Sequence, residues 1–293
     1  MTAYAEAAPG ARHHGFWLGV VRRYLRDRRA LLAAAAFAAI LVACLVVPWL
    51  SPHDPYAVDF SRKLQGPSAE HQLGTDFFGR DLLVRMALGG RASLGIAFAA
   101  LGVILLLGVV YGGAAGLAGG RTDALLMRIL DGLLALPRFP MLIVILVLAG
   151  LNTSFFTLVL ALSLTNWMVT ARLVRLEVLA LRQREFVRAA EAVGAGRLAI
   201  FRRHVAPNAA GVLLVAVLLE LPTVILGEAF ASALGLGLNP PAATWGNIAF
   251  DGIFHGRLYE VFLPSAAIAL FAVAANVVAD GLHDALDPRR ARA

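Results

Sequence analysis

A single cysteine, Cys44, and a single lysine, Lys63, stand in a chain of 293 residues. One cysteine excludes an internal disulfide and any multi-cysteine metal or redox centre. The lysine is flanked by Arg62 and Leu64, which excludes the Gly-Lys-Ser/Thr end of a P-loop, where the lysine must reach the nucleotide phosphates. There is no H-E-x-x-H metal helix and no G-x-S-x-G nucleophile elbow, and the histidines are scattered apart from the His13, His14 pair. Charge is scarce too: 15% of residues are Asp, Glu, Lys or Arg, against about a quarter in soluble domains. An enzymatic reading has little to stand on, and so has a water-soluble fold.

What is abundant is apolar. Hydrophobic residues make up 59% of the chain and its mean hydropathy is +0.75. A bilayer core of about 30 Å takes about 20 apolar residues in a helix. Uninterrupted stretches of that kind run from Ala30 to Leu50 and from Ala92 to Ala118. A third, Leu125 to Leu151, is interrupted by Pro137, Arg138 and Pro140, which kink or delay the helix. The fourth, Phe155 to Thr170, is short and carries Asn166, whose amide needs partner helices. Gly211 to Ser232 and Val261 to Gly281 complete an expected all-α integral membrane fold of six transmembrane helices. An even count puts both termini on one side.

Which side follows from the basic residues, because short loops rich in Lys and Arg stay in the cytoplasm. With the N-terminus inside, the cytoplasmic segments hold Arg12, Arg22, Arg23, Arg26, Arg28 and Arg29, then Arg121, Arg128 and Arg138, eight arginines within 172–203, and Arg289, Arg290 and Arg292, which is 20 of 26 basic residues. The net charge of +7 is therefore topological and calls for no nucleic-acid partner. Residues 1–29 form a cytoplasmic tail in which Trp17, Val20, Val21, Tyr24 and Leu25 share one helical face, suited to lie on membrane lipid. Segment 51–91 is extracytoplasmic, and Arg80 to Arg91 reads as an elbow on the outer surface before the second span. Glu220, near mid-membrane and two residues before Pro222, and Glu228, near the outer end of the same helix, are the main ionisable groups within spans, where a charge costs about 2.5–3.5 kcal/mol or more. Hydrogen-bonded packing and solute contact are both open for them.

The cytoplasmic loop, 171–208, is more structured than a connector requires. Phe186, Ala189, Ala190 and Val193 fall on one face of a short helix, with Arg184, Arg188 and Glu191 on another. Gly194 and Gly196 can end it, 197–203 can add another turn or two, and Pro207 is expected to bar continuation into the fifth span. The product is a compact knob. Charge alone allows an ordinary positive-inside loop folded on headgroups equally well.

The order Ala189-Ala190, Gly194, His204, Pro207 resembles the loop signature of binding-protein-dependent ABC importer permeases. Arg188 stands at the family's Glu position and Ala206 at its usual Leu. Further segments resemble the C-type subunit of the dipeptide, oligopeptide and nickel subfamily. These are His71-Gln72-Leu73-Gly74-Thr75-Asp76 with Gly79-Arg80-Asp81, then Glu228 through Leu234-Gly235-Leu236-Gly237 to Pro240, Pro241 and Thr244-Trp245-Gly246, and finally Asn276 to Arg289. Each is weak alone; in order, over about residues 12–290, they describe a whole chain, with 92–290 as the permease core.

That resemblance implies a type I importer fold in a bacterial plasma membrane and half of a path for peptides or a related solute such as nickel, glutathione or a glycoside. The implied partners are a homologous permease subunit, two ATP-binding subunits that carry the ATP and Mg, and an extracytoplasmic solute-binding protein. It implies ATPase coupling through Phe186, Arg188, Ala189, Ala190, Val193, Gly194, His204 and Pro207, and contact with the binding protein at Pro240, Pro241 and Trp245. Glu220, Glu228 and Asn166 are candidates for the solute path. Two rival readings remain: a proton-coupled secondary transporter using Glu220 or Glu228, and a receptor or scaffold whose loop holds a soluble partner.

Overall fold

The computed structural model describes residues 13–150 and 153–286, without the side chains of 13–17 and 197. Arg12, the Trp17 side chain, Leu151 and the expected ending from Asp287 to Arg292 lie outside the described residues. The elements are α1 (His13–Tyr24), α2 (Arg28–Leu50), α3 (Leu82–Ala118), α4 (Gly120–Leu134), α5 (Arg138–Leu148), α6 (Phe155–Arg182), α7 (Glu185–Ala192), α8 (Arg197–Ile200), α9 (Ala206–Ala233), α10 (Trp245–Phe254) and α11 (Leu258–Leu286). Among the described residues, five helices are long and apolar enough to cross a membrane, and α4 with α5, bent by 87°, allow a sixth crossing if the pair counts as one.

Capping sets the starts. Asp27 accepts from the amides of Arg29 and Ala30 to begin α2, and Asp81 accepts from Val84 N at 2.9 Å to begin α3. The apolar centre is shared by α3, α6 and α9 with α2, α5 and α11 against them. The closest approach is between α3 and α6, where Gly108, Gly112 and Gly116 lie on a small-residue ridge. A Cβ on Gly112 would sit 2.1 Å from the Ala171 carbonyl oxygen, so only glycine allows this backbone contact.

Three sequence expectations are corrected. The stretch from Arg80 to Arg91 is no surface elbow: Leu82, Val84, Arg85 and Ala87 are buried and α3 runs unbroken from Leu82, because segment 51–81 and α10 cover its first turns. Helix α6 runs to Arg182 rather than Thr170, since Val174, Val178 and Leu181 extend its buried stripe. Arg175 pairs with Asp123 of α4 at 2.5 Å, and Arg172 pairs with Asp131. Residues 171–182 of the expected segment are thus helical, and α7 follows after Gln183 and Arg184. Finally, Pro207 does not stop the helix. A π-helical turn over Phe201–Val205 precedes it, with Ala206 N donating to Phe201 O; the widened turn shifts the carbonyl row, and a proline in the first turn of α9 has no amide to satisfy.

Candidate coupling and translocation sites

The α7–α8 knob and segment 71–81 lie at opposite ends of the helices. Helix α7 closes in a Schellman arrangement, with Ala195 N donating to Ala190 O and Gly194 N to Glu191 O, both at 3.0 Å. Gly194 takes φ +84°, the left-handed region that glycine enters without penalty, and open space surrounds it. Val187 is fully buried with Ile200, Val205, Val174 and Val178, and Ala190 packs on the same cluster. Phe186 and Val193, 42% and 85% exposed, and Ala189 and Arg188 point away from it. The face expected to be common to Phe186, Ala189, Ala190 and Val193 is thus divided: Ala190 turns inward beside Val187, and the other three form an outward apolar face. The His204 ring lies 6.2 Å from that of Phe186, and Pro207 is exposed.

A second polar group lies deep in the bundle. Asn166, near the midpoint of α6, donates to Leu162 O at 2.7 Å and to Thr165 Oγ1 at 3.0 Å, and its Oδ1 accepts from Arg138 Nη1 at 3.4 Å. Glu220, on α9, is 9% exposed, its Oε2 is buried without a hydrogen-bond partner, and the Arg138 guanidinium acts on it electrostatically. Arg138 is half-buried at the start of α5, within reach of Asn166, because Pro137 ends the preceding turn and α5 begins beside α6 and α9.

Glu228 has different company. It is fully buried, with Oε2 accepting from Ser93 Oγ and Oε1 from Ser232 Oγ, each at 2.8 Å. Ser93 Oγ in turn accepts from Trp245 N, and Thr244 caps α10 through Asn247 N. These bonds fasten α3, α9 and α10 together. Trp245 is 2% exposed, with its indole N–H on Met86 O. It belongs to the core and cannot meet a binding protein, whereas Pro240 and Pro241 are exposed.

Segment 51–81 forms a charged cap over this end. Asp76 bridges Arg80 Nε at 2.7 Å and Arg85 Nε at 3.2 Å, His71 Nδ1 lies 2.8 Å from Asp81 Oδ2, and Phe77 stacks on His255 at 3.8 Å. Burial holds the Asp251 carboxyl above its ordinary pKa, against the opposing pull of Arg85 and Arg80.

Residues 104–292 match the family described as binding-protein-dependent transport system inner membrane component, and 15–67 match the N-terminal TM domain of oligopeptide transport permease C. The chain belongs to that permease family. It is 38% identical over 275 residues to the oligopeptide transport system permease protein OppC of Bacillus subtilis (strain 168), spanning 93% of this chain and 90% of that protein. It is equally identical, over 260 residues, to the nickel transport system permease protein NikC of Escherichia coli (strain K12), spanning 88% and 93%. The family reading carried by the ordered motifs is borne out, and this permease is a membrane subunit of an ABC importer. Sequence reasoning missed two of its residues. Val187 anchors the knob and was legible as the partner of Ala190 at i+3. Arg138 was counted as a topology marker, and only the Pro137-Arg138-Phe139-Pro140 break hinted at more.

Proposed function

We propose that this permease forms half of a translocation path for short peptides, crosses the bacterial plasma membrane six times with both termini in the cytoplasm, and has the type I importer fold. A homologous permease completes the path, two ATP-binding subunits grip the α7–α8 knob, and an extracytoplasmic binding protein delivers solute near Pro240 and Pro241. The observation that carries this reading is the knob itself. Phe186, Ala189 and Val193 present an apolar face to the outside of a loop held rigid by buried Val187, with Arg188, Gly194, His204 and Pro207 around it. The helical path from α8 through the π turn into α9 gives motion at the knob a direct route into a span. Moving a two-state path from about 1:99 to about 99:1 takes about 5.5 kcal/mol of differential binding, which closure of the ATP-bound subunits supplies. Peptides are favoured by the relatives named for oligopeptide and dipeptide transport. Nickel is the second reading, favoured by the equal identity to the nickel permease.

The test is uptake by the complete complex in proteoliposomes. Vanadate-sensitive import is expected, and Gly194→Val is expected to abolish it with the permease still inserted in the membrane. Uptake by Gly194→Val at the normal rate would remove the coupling role of the knob.

A further inference from the structure

The interior group around Arg138 has a chemistry that the knob and the path do not by themselves explain. Two opposite charges and an amide meet near the midpoints of α6 and α9, yet they do not neutralise one another. No direct ion pair joins Arg138 to Glu220; the guanidinium has one long bond, 3.4 Å, to Asn166 Oδ1, and Glu220 Oε2 is buried without a partner. A pair kept only for stability would close, because a buried Glu220 carboxylate left unpaired costs several kcal/mol while Arg138 is only half-buried and free to approach it. The residue after Arg138 lies on an apolar wall: Phe139 and Phe230 of α9 meet at 4.5 Å between centroids.

We propose that Arg138, Glu220 and Asn166 form an amphoteric relay site that takes a zwitterionic solute in transit, its ammonium end on Glu220 and its carboxylate end on Arg138, with Asn166 steadying the guanidinium. The proposal rests on the reading of this chain as half of a path. Charge selects the ligand class. A bare divalent cation meets one carboxylate, one amide and a repelling guanidinium, a poor ligand set. A dianion is repelled by Glu220, and a neutral glycoside leaves both charges unpaired. A short peptide with free termini satisfies both at once, and the first turn of α5 adds its own partial positive charge on the carboxylate side.

The complete complex in proteoliposomes provides the test, with a free dipeptide and Ni2+ as separate probes. Arg138→Gln and Glu220→Gln are each expected to lower dipeptide uptake about tenfold or more, with wild-type recovery of assembled complex. Unchanged uptake in either variant overturns the site. If the variants do not assemble, Phe139→Cys, beside Arg138 and with all three site residues kept, decides: Cys44 is the chain's single cysteine and is buried, so a thiol reagent reports position 139 in complexes whose other subunits lack cysteine. Saturating dipeptide is expected to slow labelling, and labelling that ignores the dipeptide overturns the site. Wild-type import of Ni2+ without dipeptide removes the zwitterion site and leaves the importer reading standing. Absence of vanadate-sensitive uptake of either probe removes both.

Discussion

Ser93 Oγ donates to Glu228 Oε2 at 2.8 Å inside the apolar core, joining α3 to α9 across a sequence separation of 135 residues. The same hydroxyl accepts from Trp245 N, so one serine ties three helices. Ser93→Ala removes a donor from a buried carboxylate and a partner from a buried amide, and is expected to cost about 1–2 kcal/mol. Thermal unfolding of the detergent-solubilised permease reads this as a lowered Tm; an unchanged Tm would show the network to be dispensable.

Two glycines of α3 should respond in opposite ways. Gly112→Ala forces the Ala171 carbonyl away and is expected to separate α3 from α6, with loss of folded protein. Gly102 has nothing within 4 Å of its would-be Cβ, and alanine there gains up to about 1 kcal/mol of helix propensity. Expression and Tm of the two variants make the comparison, and tolerance of alanine at 112 would contradict the close contact.

The knob can be tested from its two sides. Val193→Asp leaves the buried cluster intact and is expected to abolish co-purification of the ATP-binding subunits while the permease keeps its Tm. Val187→Asp places a charge in the cluster with Ile200 and Val205 and is expected to lower the Tm as well, by several degrees. If Val193→Asp retains the ATP-binding subunits, the outward face is not the one they hold.

The cap carries a pH dependence. Asp251 has a carboxyl pKa raised by burial, so it binds its proton more readily in the folded cap than in the unfolded chain. Its contribution favours folding below the unfolded value and is lost as pH rises through the folded one. Asp251→Asn is therefore expected to be more stable than wild type at pH 7, with the difference closing as pH falls toward about 4, the ordinary carboxylate range. Glu70 acts in the opposite sense, because its hydrogen bond from Arg62 lowers its pKa. A stability difference that does not narrow with acidification would refute the assignment to Asp251.

Composition and apolar runs made the multi-span fold legible, since a helix long enough to cross a bilayer leaves a signal that no local detail hides. Their limits were harder to read. The first turns of α3 hold Arg85 within the fold, and the last turns of α6 hold Arg175, so charge that looked like a loop was in fact paired with Asp76 and Asp123. Pro207 read as a stop because the widened turn before it depends on backbone hydrogen bonds rather than residue type. Within the candidate sites, Gly194 and the small residues of α7 were visible in the pattern. The division between inward Ala190 and outward Val193 needed the position of the helices beneath. Arg138 could not be told from a positive-inside arginine, because the feature that sets it apart is its proximity to Asn166 and Glu220.

The cap joins segments far apart in the order of synthesis. Asp76 and Arg80 leave the ribosome roughly 170 residues before Asp251, and at about 5–20 residues per second that gap is on the order of 10–30 s. On the proposed orientation, segment 51–81 crosses the membrane early and waits there with its acids and arginines unburied until the last helices arrive. The final step of biogenesis is then the docking of α10 beneath a segment already outside, which makes this face the place where an incompletely inserted chain stays open to proteases outside the membrane.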